Sequence, residues 1–255
     1  MLGVASALIF VNQGWATDIT GQTNGWMIHG SLKVEEASKY IAFRVDRALA
    51  TTPVLQTTLS LELPADVFLE VFDSHAWSDR KDQRLGNELD LAIGKRFRLG
   101  RWCLSPAFRW MNEPSLGQWG AEDIAVFSGY LTGDFRPCRS YLIRPEALIE
   151  WMAHPDVIER HGTAVTRVGM IQVWKDPIDI PLLDLRCRTS AARDSGWGKN
   201  DPAGVFFQLD GGLDWTVGSH ILCTLPGLKV IAPLTSCHDG RRTQSAVLAS
   251  LKYSF

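Results

Sequence analysis

Residues 245–255 read SAVLASLKYSF. Val247, Ala249, Leu251, Tyr253 and Phe255 fall at every second position, with Ala246, Leu248, Ser250, Lys252 and Ser254 between them. A period of two marks a β-strand, because successive side chains point to opposite faces. One face of this strand is wholly apolar and carries two aromatics; the other carries a lysine and serines. A chain end in a soluble domain is usually polar and frayed. An apolar face so late in the sequence therefore calls for an extended apolar surface to lie against.

The same alternation recurs upstream. Leu55, Thr57, Leu59, Leu61 and Leu63 share one face, and Gln56, Thr58, Ser60 and Glu62 the other. Leu89, Leu91 and Ile93 alternate with Glu88, Asp90, Ala92 and Gly94. Trp102, Leu104, Pro106, Phe108 and Trp110 alternate with Cys103, Ser105, Ala107, Arg109 and Met111. About twelve such runs lie near 24–34, 53–63, 66–74, 86–97, 101–112, 122–134, 140–152, 163–174, 178–189, 204–216, 220–232 and 244–255. Helical periodicity is scarce. Only 140–159, with ALIEWM at 147–152, carries enough helix formers to compete as a helix.

The connections carry independent information. The segments 35–52, 75–85, 113–121, 155–162, 190–203 and 233–243 read as long; those at 64–65, 99–100, 135–139, 175–177 and 217–219 read as short. The two kinds alternate along the whole chain. Short turns at one end and longer loops at the other are what a transmembrane up-and-down barrel shows. An even strand number also puts both termini at one end. The predicted fold is all-β: a transmembrane antiparallel up-and-down β-barrel of about twelve strands.

Composition agrees with this and excludes other classes. The net charge is -2 over 255 residues, so there is no basic field for a nucleic-acid partner. No apolar stretch reaches the eighteen or so residues of a transmembrane helix, but a membrane-spanning strand needs only about 9–11 residues, half of them apolar. Of ten tryptophans, Trp26, Trp77, Trp102, Trp110, Trp151, Trp174 and Trp215 fall near the ends of predicted runs, where amphipathic rings favour a membrane–water boundary. The five cysteines, Cys103, Cys138, Cys187, Cys223 and Cys237, are scattered without zinc spacing and read as structural, with one loop disulfide left open.

Residues 1–16 read MLGVASALIFVNQGWA, an apolar run followed by small residues Gly14 and Ala16. This fits a signal peptide of residues 1–16 ahead of a single barrel domain of 17–255, although no Lys or Arg precedes the apolar run. The competing reading is a buried first strand.

The closing segment, with Leu251, Tyr253 and Phe255, resembles the last strand of bacterial outer-membrane barrels. That resemblance implies an outer-membrane location, contact with outer-membrane lipid, and recognition of these three residues by the barrel-assembly machinery. Ser38-Lys39-Tyr40, Pro53-Val54-Leu55-Gln56 leading into Leu59-Ser60-Leu61, and Glu88 to Gly94 (ELDLAIG) are similar to the uncharacterised porin family of proteobacteria. The residues after Tyr40, IAFRV, depart from the Trp-Arg-Gly of that pattern. This resemblance implies architecture more than activity.

A charge facing lipid at the bilayer midplane costs about 2–4 kcal/mol, so strand charges should face the lumen. These are Glu70, Glu88, Asp90, Arg109, Arg144, Glu146, Glu150, Arg167, Asp184, Arg186, Asp210, Asp214 and Lys252. Both signs are present, so they either line a water-filled pore or pair across a narrow lumen and close it. A catalytic constellation is not expected. Ser74 and His75 are adjacent on a strand and point apart. His154 and His161, with Asp156 and Glu159, share one predicted loop without a metal-binding spacing. No G-x-G-x-x-G opens a helix, so no cofactor is implied. The expected function is a porin-like channel for passive diffusion of small solutes, not an enzyme. The alternatives are a barrel enzyme at the cell surface and a structural or adhesive barrel with a filled lumen.

Overall fold

The computed structural model describes residues 28–41, 50–77, 87–112, 123–153, 163–177, 180–198, 201–234 and 243–255. Met1 to Ala16, Trp26, Cys237, His154 and His161 lie outside them.

Fourteen strand segments follow one another: β1 (His29–Ala37), β2 (Val54–Leu63), β3 (Val67–Ala76), β4 (Glu88–Lys95), β5 (Phe97–Leu99), β6 (Trp102–Asn112), β7 (Ile124–Gly133), β8 (Phe135–Cys138), β9 (Tyr141–Ala153), β10 (Thr163–Lys175), β11 (Leu183–Gly198), β12 (Asp201–Val217), β13 (Ile221–Pro233) and β14 (Gln244–Ser254). β5 continues β4 past Arg96, and β8 continues β7 past Asp134, so the barrel has twelve strands. Each pairs antiparallel with its chain neighbours, and β14 returns to pair with β1 from Ser31↔Ser254 to Ala37↔Leu248. Among the described residues the strands close into one ring, which is the condition for backbone to cross a bilayer.

The predicted runs map onto strands with three corrections. The first strand is His29–Ala37, shifted toward the C-terminus of the predicted 24–34, because Glu35 and Ala37 continue the alternation that begins at Ser31. The run at 140–152 is strand as its alternation predicts, over Tyr141–Ala153: β9 pairs on both sides, and tertiary pairing overrides the helix preference of ALIEWM. The 190–203 segment is not a loop. β11 and β12 run through it and pair as far as Gly198↔Asp201, a hairpin extending beyond its neighbours. The connection placed at 175–177 is longer than expected, spanning 176–182, and β11 begins at Leu183. It is closed by Asp176 Oδ1 accepting from Leu182 N at 3.1 Å.

The tight turns have local causes. Gly100 (φ 62°) and Gly218 (φ 65°) supply left-handed conformations, and Pro64 opens a short 3-10 turn before β3. All five short connections and both described chain ends lie at one end of the barrel. The opposite end, with Ala37, Val54, Ala76, Glu88, Asn112, Ile124, Ala153 and Thr163, carries the long connections.

The sidedness expected of such a barrel gives a direct test. In a cysteine-free background, a membrane-impermeant maleimide should label Ser195→Cys on intact cells and leave Leu99→Cys unlabelled until the outer membrane is opened. The reverse pattern would mean that the barrel is inserted the other way up.

Candidate functional site: the barrel lumen

Burial is inverted relative to a soluble protein. Leu32, Val34, Leu55, Leu91, Ile93, Phe127, Ile149, Val168, Leu185 and Val247 are exposed on the outside of the strands. On the opposite, inner faces, Glu70, Glu88, Asp90, Arg109, Glu146, Glu150, Arg167, Asp210, Asp214 and Lys252 are buried; Arg144, Asp184 and Arg186 are partly buried. So continuous an apolar exterior would aggregate in water but suits acyl chains. Aromatics edge this exterior. Trp102 meets Phe135 edge-on with ring centroids 5.6 Å apart, Tyr141 stacks on Trp174 at 5.3 Å, and Tyr253 stacks on Phe255 at 6.2 Å, all at the turn end. Phe127 and Trp151 pair at 5.9 Å nearer the other rim.

The sequence matches no known protein-family profile and no curated protein sequence. Solved structures do match. One is the NanC porin, at TM-score 0.54 and 8% identity, covering 88% of this chain and 100% of that one. Another is a bacterial polysaccharide outer membrane secretin, at TM-score 0.51 and 8% identity, covering 89% of this chain and 97% of that one. The fold is that of an outer-membrane β-barrel. With its apolar exterior and charged interior, it sits in the bacterial outer membrane.

The inward charges form three groups. Around Glu146, Arg188 Nε donates to Oε1 at 2.6 Å and Arg188 Nη2 to Oε2 at 2.8 Å. Tyr130 OH donates to the same Oε2 at 2.6 Å, and Arg167 Nε approaches Oε1 at 4.0 Å. Gly169 leaves the room for this. A Cβ there would stand 2.6 Å from Ser190 Cβ and 2.9 Å from Glu146 Oε1. The second group lies on β2, β3, β4 and β6, where Arg109 Nη1 stands 3.7 Å from Asp90 Oδ2 and Ser60 Oγ donates to Glu70 Oε2 at 3.2 Å. In the third, nearer the turns, Arg186 Nε donates to Asp214 Oδ2 at 2.8 Å and Thr224 Oγ1 to Asp214 Oδ1 at 2.7 Å. Arg144 pairs with Asp134 at the turn-end rim.

Sequence alone does not single out Arg188, Tyr130, Lys229 or Arg96, which the structure adds. Arg188 could have been found, since it shares the parity of Asp184 and Arg186. Lys229 could not, because a bulge between Thr224 and Gly227 reverses the parity of β13. Arg96 sits in the break between β4 and β5, from which Nη1 reaches Glu62 Oε1 at 2.7 Å.

The lumen is not uniform. On the inner faces of β14, β1 and β2, Lys33, Glu35, Gln56, Thr58, Ser60 and Ser250 keep partial solvent contact, and Lys33 and Glu35 form an ion pair there. The wall from β4 round to β12 is filled by the buried charges. At the loop end the inner faces turn apolar: Met111, Ile124, Val126, Met152, Val165 and Phe206 form one buried cluster with Ile41, which comes from the β1–β2 connection.

Catalytic groups are not brought together at the positions considered. Ser74 faces inward and is fully buried, while His75 faces outward with Nε2 3.0 Å from Asp73 Oδ2. Among the described residues no group of three or more His, Cys, Asp or Glu is placed to hold a metal ion. Cys103, Cys138, Cys187 and Cys223 are free thiols.

Proposed function

We propose that this barrel is a porin-like channel for passive diffusion of small solutes, narrowed to a path along the inner faces of β14, β1 and β2. The observation that supports it is the partial solvent contact of Lys33, Glu35, Gln56, Thr58, Ser60 and Ser250 beside a wall where Glu146, Glu150, Arg167, Arg188, Asp90 and Arg109 are buried. A lumen meant only to be filled has no need of a polar, hydrated stripe. The two structural neighbours supply the fold; at 8% identity the function rests on the lumen, with the similarity to the uncharacterised porin family as secondary support.

In planar bilayers the purified protein should show small unitary conductance, well below that expected of an unobstructed twelve-stranded lumen. Replacing Thr58 by Trp, which fills the stripe without touching the ion-pair wall, should reduce it further. Complete electrical silence across the accessible voltage range would overturn the channel.

The second reading, a structural barrel with a filled lumen, draws on the apolar cluster at the loop end and on the pairing of the Glu146 group. It predicts that silence. The third, a barrel enzyme, finds no support in the placement of Ser74 and His75.

A further inference from the structure

We propose that the segment Ser38–Ile41 is a gate folded into the loop-end mouth of the barrel, latched through Tyr40 and Ile41; the proposal rests on the channel reading above. The base of the segment is fixed to the wall. Ser38 N donates to Val247 O at 2.8 Å, and Val247 N donates to Ser38 Oγ at 3.1 Å, so the chain stays attached to β14 just beyond the end of β1. The tip then leaves the wall. Tyr40 OH donates to Glu88 Oε2 at 2.6 Å, although Glu88 begins β4, three strands round the barrel from β1. Strands lie about 4.8 Å apart, so this contact bridges on the order of 14 Å of wall above the inner faces of β2 and β3. Of these two, β2 carries part of the solvent-contacting stripe, through Gln56, Thr58 and Ser60.

Ile41 goes further. Its side chain is buried among Met111, Ile124, Met152 and Phe206, and Lys229 Nζ, from β13, donates to its carbonyl oxygen at 2.9 Å. Tyr40 and Ala50 exchange backbone hydrogen bonds of 3.0 and 3.4 Å. Ala50 and Val54 are fully buried, in one cluster with Ala37 and Tyr40.

This is a fixed base with a tip held by releasable contacts. The phenol–carboxylate bond, the ammonium–carbonyl bond and the apolar seats of Tyr40 and Ile41 are side-chain and tip contacts, whose loss leaves the pairing of the barrel strands in place. When they break, the mouth above Gln56 and Thr58 opens. The apolar collar left behind is unfavourable in water, which returns Ile41 to its seat in the absence of an apolar occupant. The gate is therefore shut at rest.

The test uses the full chain and two readouts. In a background with the five cysteines replaced by serine, Val54→Cys places a thiol on the wall strand β2, in the cluster that the Tyr40 side chain covers. A hydrophilic maleimide should label it slowly, and several-fold faster when Tyr40→Phe and Lys229→Met are combined, with each single change giving an intermediate rate. Faster gel mobility of the unheated protein checks that the barrel is closed in every variant. In bilayers, with native cysteines, the double variant should show larger or more frequent openings than the parent. Unchanged labelling overturns the gate, whatever the conductance. Faster labelling with unchanged openings in a conducting protein also overturns it, since the strap would then move without controlling passage. Faster labelling with both forms electrically silent instead removes the channel itself.

Discussion

Replacing Glu146 by Ala is expected to destabilise the barrel by about 3–5 kcal/mol, the usual cost of removing one partner of a buried ion pair and leaving the other charged. The Glu146 side chain is fully buried, and the Arg188 and Arg167 side chains are each only 2% exposed. Two guanidiniums would then lose their shared carboxylate in a site closed to bulk solvent. Tyr130 OH would lose its acceptor as well, adding the desolvation cost of an unmade hydrogen bond, about 1–3 kcal/mol. The comparison is Asp134→Ala, which breaks the Arg144 ion pair. Asp134 keeps 40% side-chain exposure and Arg144 lies at the rim, so about 0–1 kcal/mol is expected. Glu146→Gln should fall between, keeping acceptor geometry without the charge. Urea unfolding in lipid vesicles, read by tryptophan fluorescence, gives the ranking. Equal losses for Glu146→Ala and Asp134→Ala would mean that water reaches the Glu146 site and that the filled wall is not sealed.

The same contrast explains what was legible in the sequence. Strand existence was read from parity, and parity holds wherever a strand is regular. Leu55 to Leu63, Leu89 to Gly94 and Trp102 to Met111 all match the pairing registers observed. Parity fails where one residue is inserted, as at Lys229: the bulge in β13 moves it to the inner face without any change in local composition. The extended β11–β12 hairpin was hidden for a different reason. Arg193, Asp194 and Ser195, with Gly196, are turn-forming or polar residues, and only their pairing with β12 makes them strand. The strap was hidden because Tyr40 and Ile41 lie outside any periodic run. A tyrosine followed by an isoleucine in a long connection carries no signal of direction. That both fold inward depends on partners 48 and 188 residues away, Glu88 and Lys229.

The expected effect of replacing Phe255 is larger in cells than in the purified protein. Phe255 closes the ring: its N and O exchange hydrogen bonds of 2.9 Å with Gly30 O and N. Its ring lies over Gly30, where an added Cβ would stand 2.5 Å from the ring edge, so the glycine and the aromatic fit each other across the seam. Phe255→Gln leaves the backbone pair intact. It removes a ring that is 49% exposed on the lipid face and its stacking on Tyr253, a loss of at most a few kcal/mol. Refolding of the purified variant into detergent should therefore be only mildly impaired. Leu251, Tyr253 and Phe255 share the exposed face of the closing strand, and this face is the part expected to be read by the assembly machinery before β14 meets β1. Until that seam forms, two strand edges are unpaired and prone to aggregation or proteolysis. In cells, Phe255→Gln should accordingly lower the amount of folded barrel several-fold, while Ser254→Gln, on the neighbouring inner position, should leave it nearly unchanged. Quantifying the unheated fast-migrating band in outer-membrane fractions separates the cases. If the two variants accumulate alike, or if refolding in detergent falls as far as accumulation in cells, Phe255 acts through packing at the Gly30 seam and not as an assembly signal.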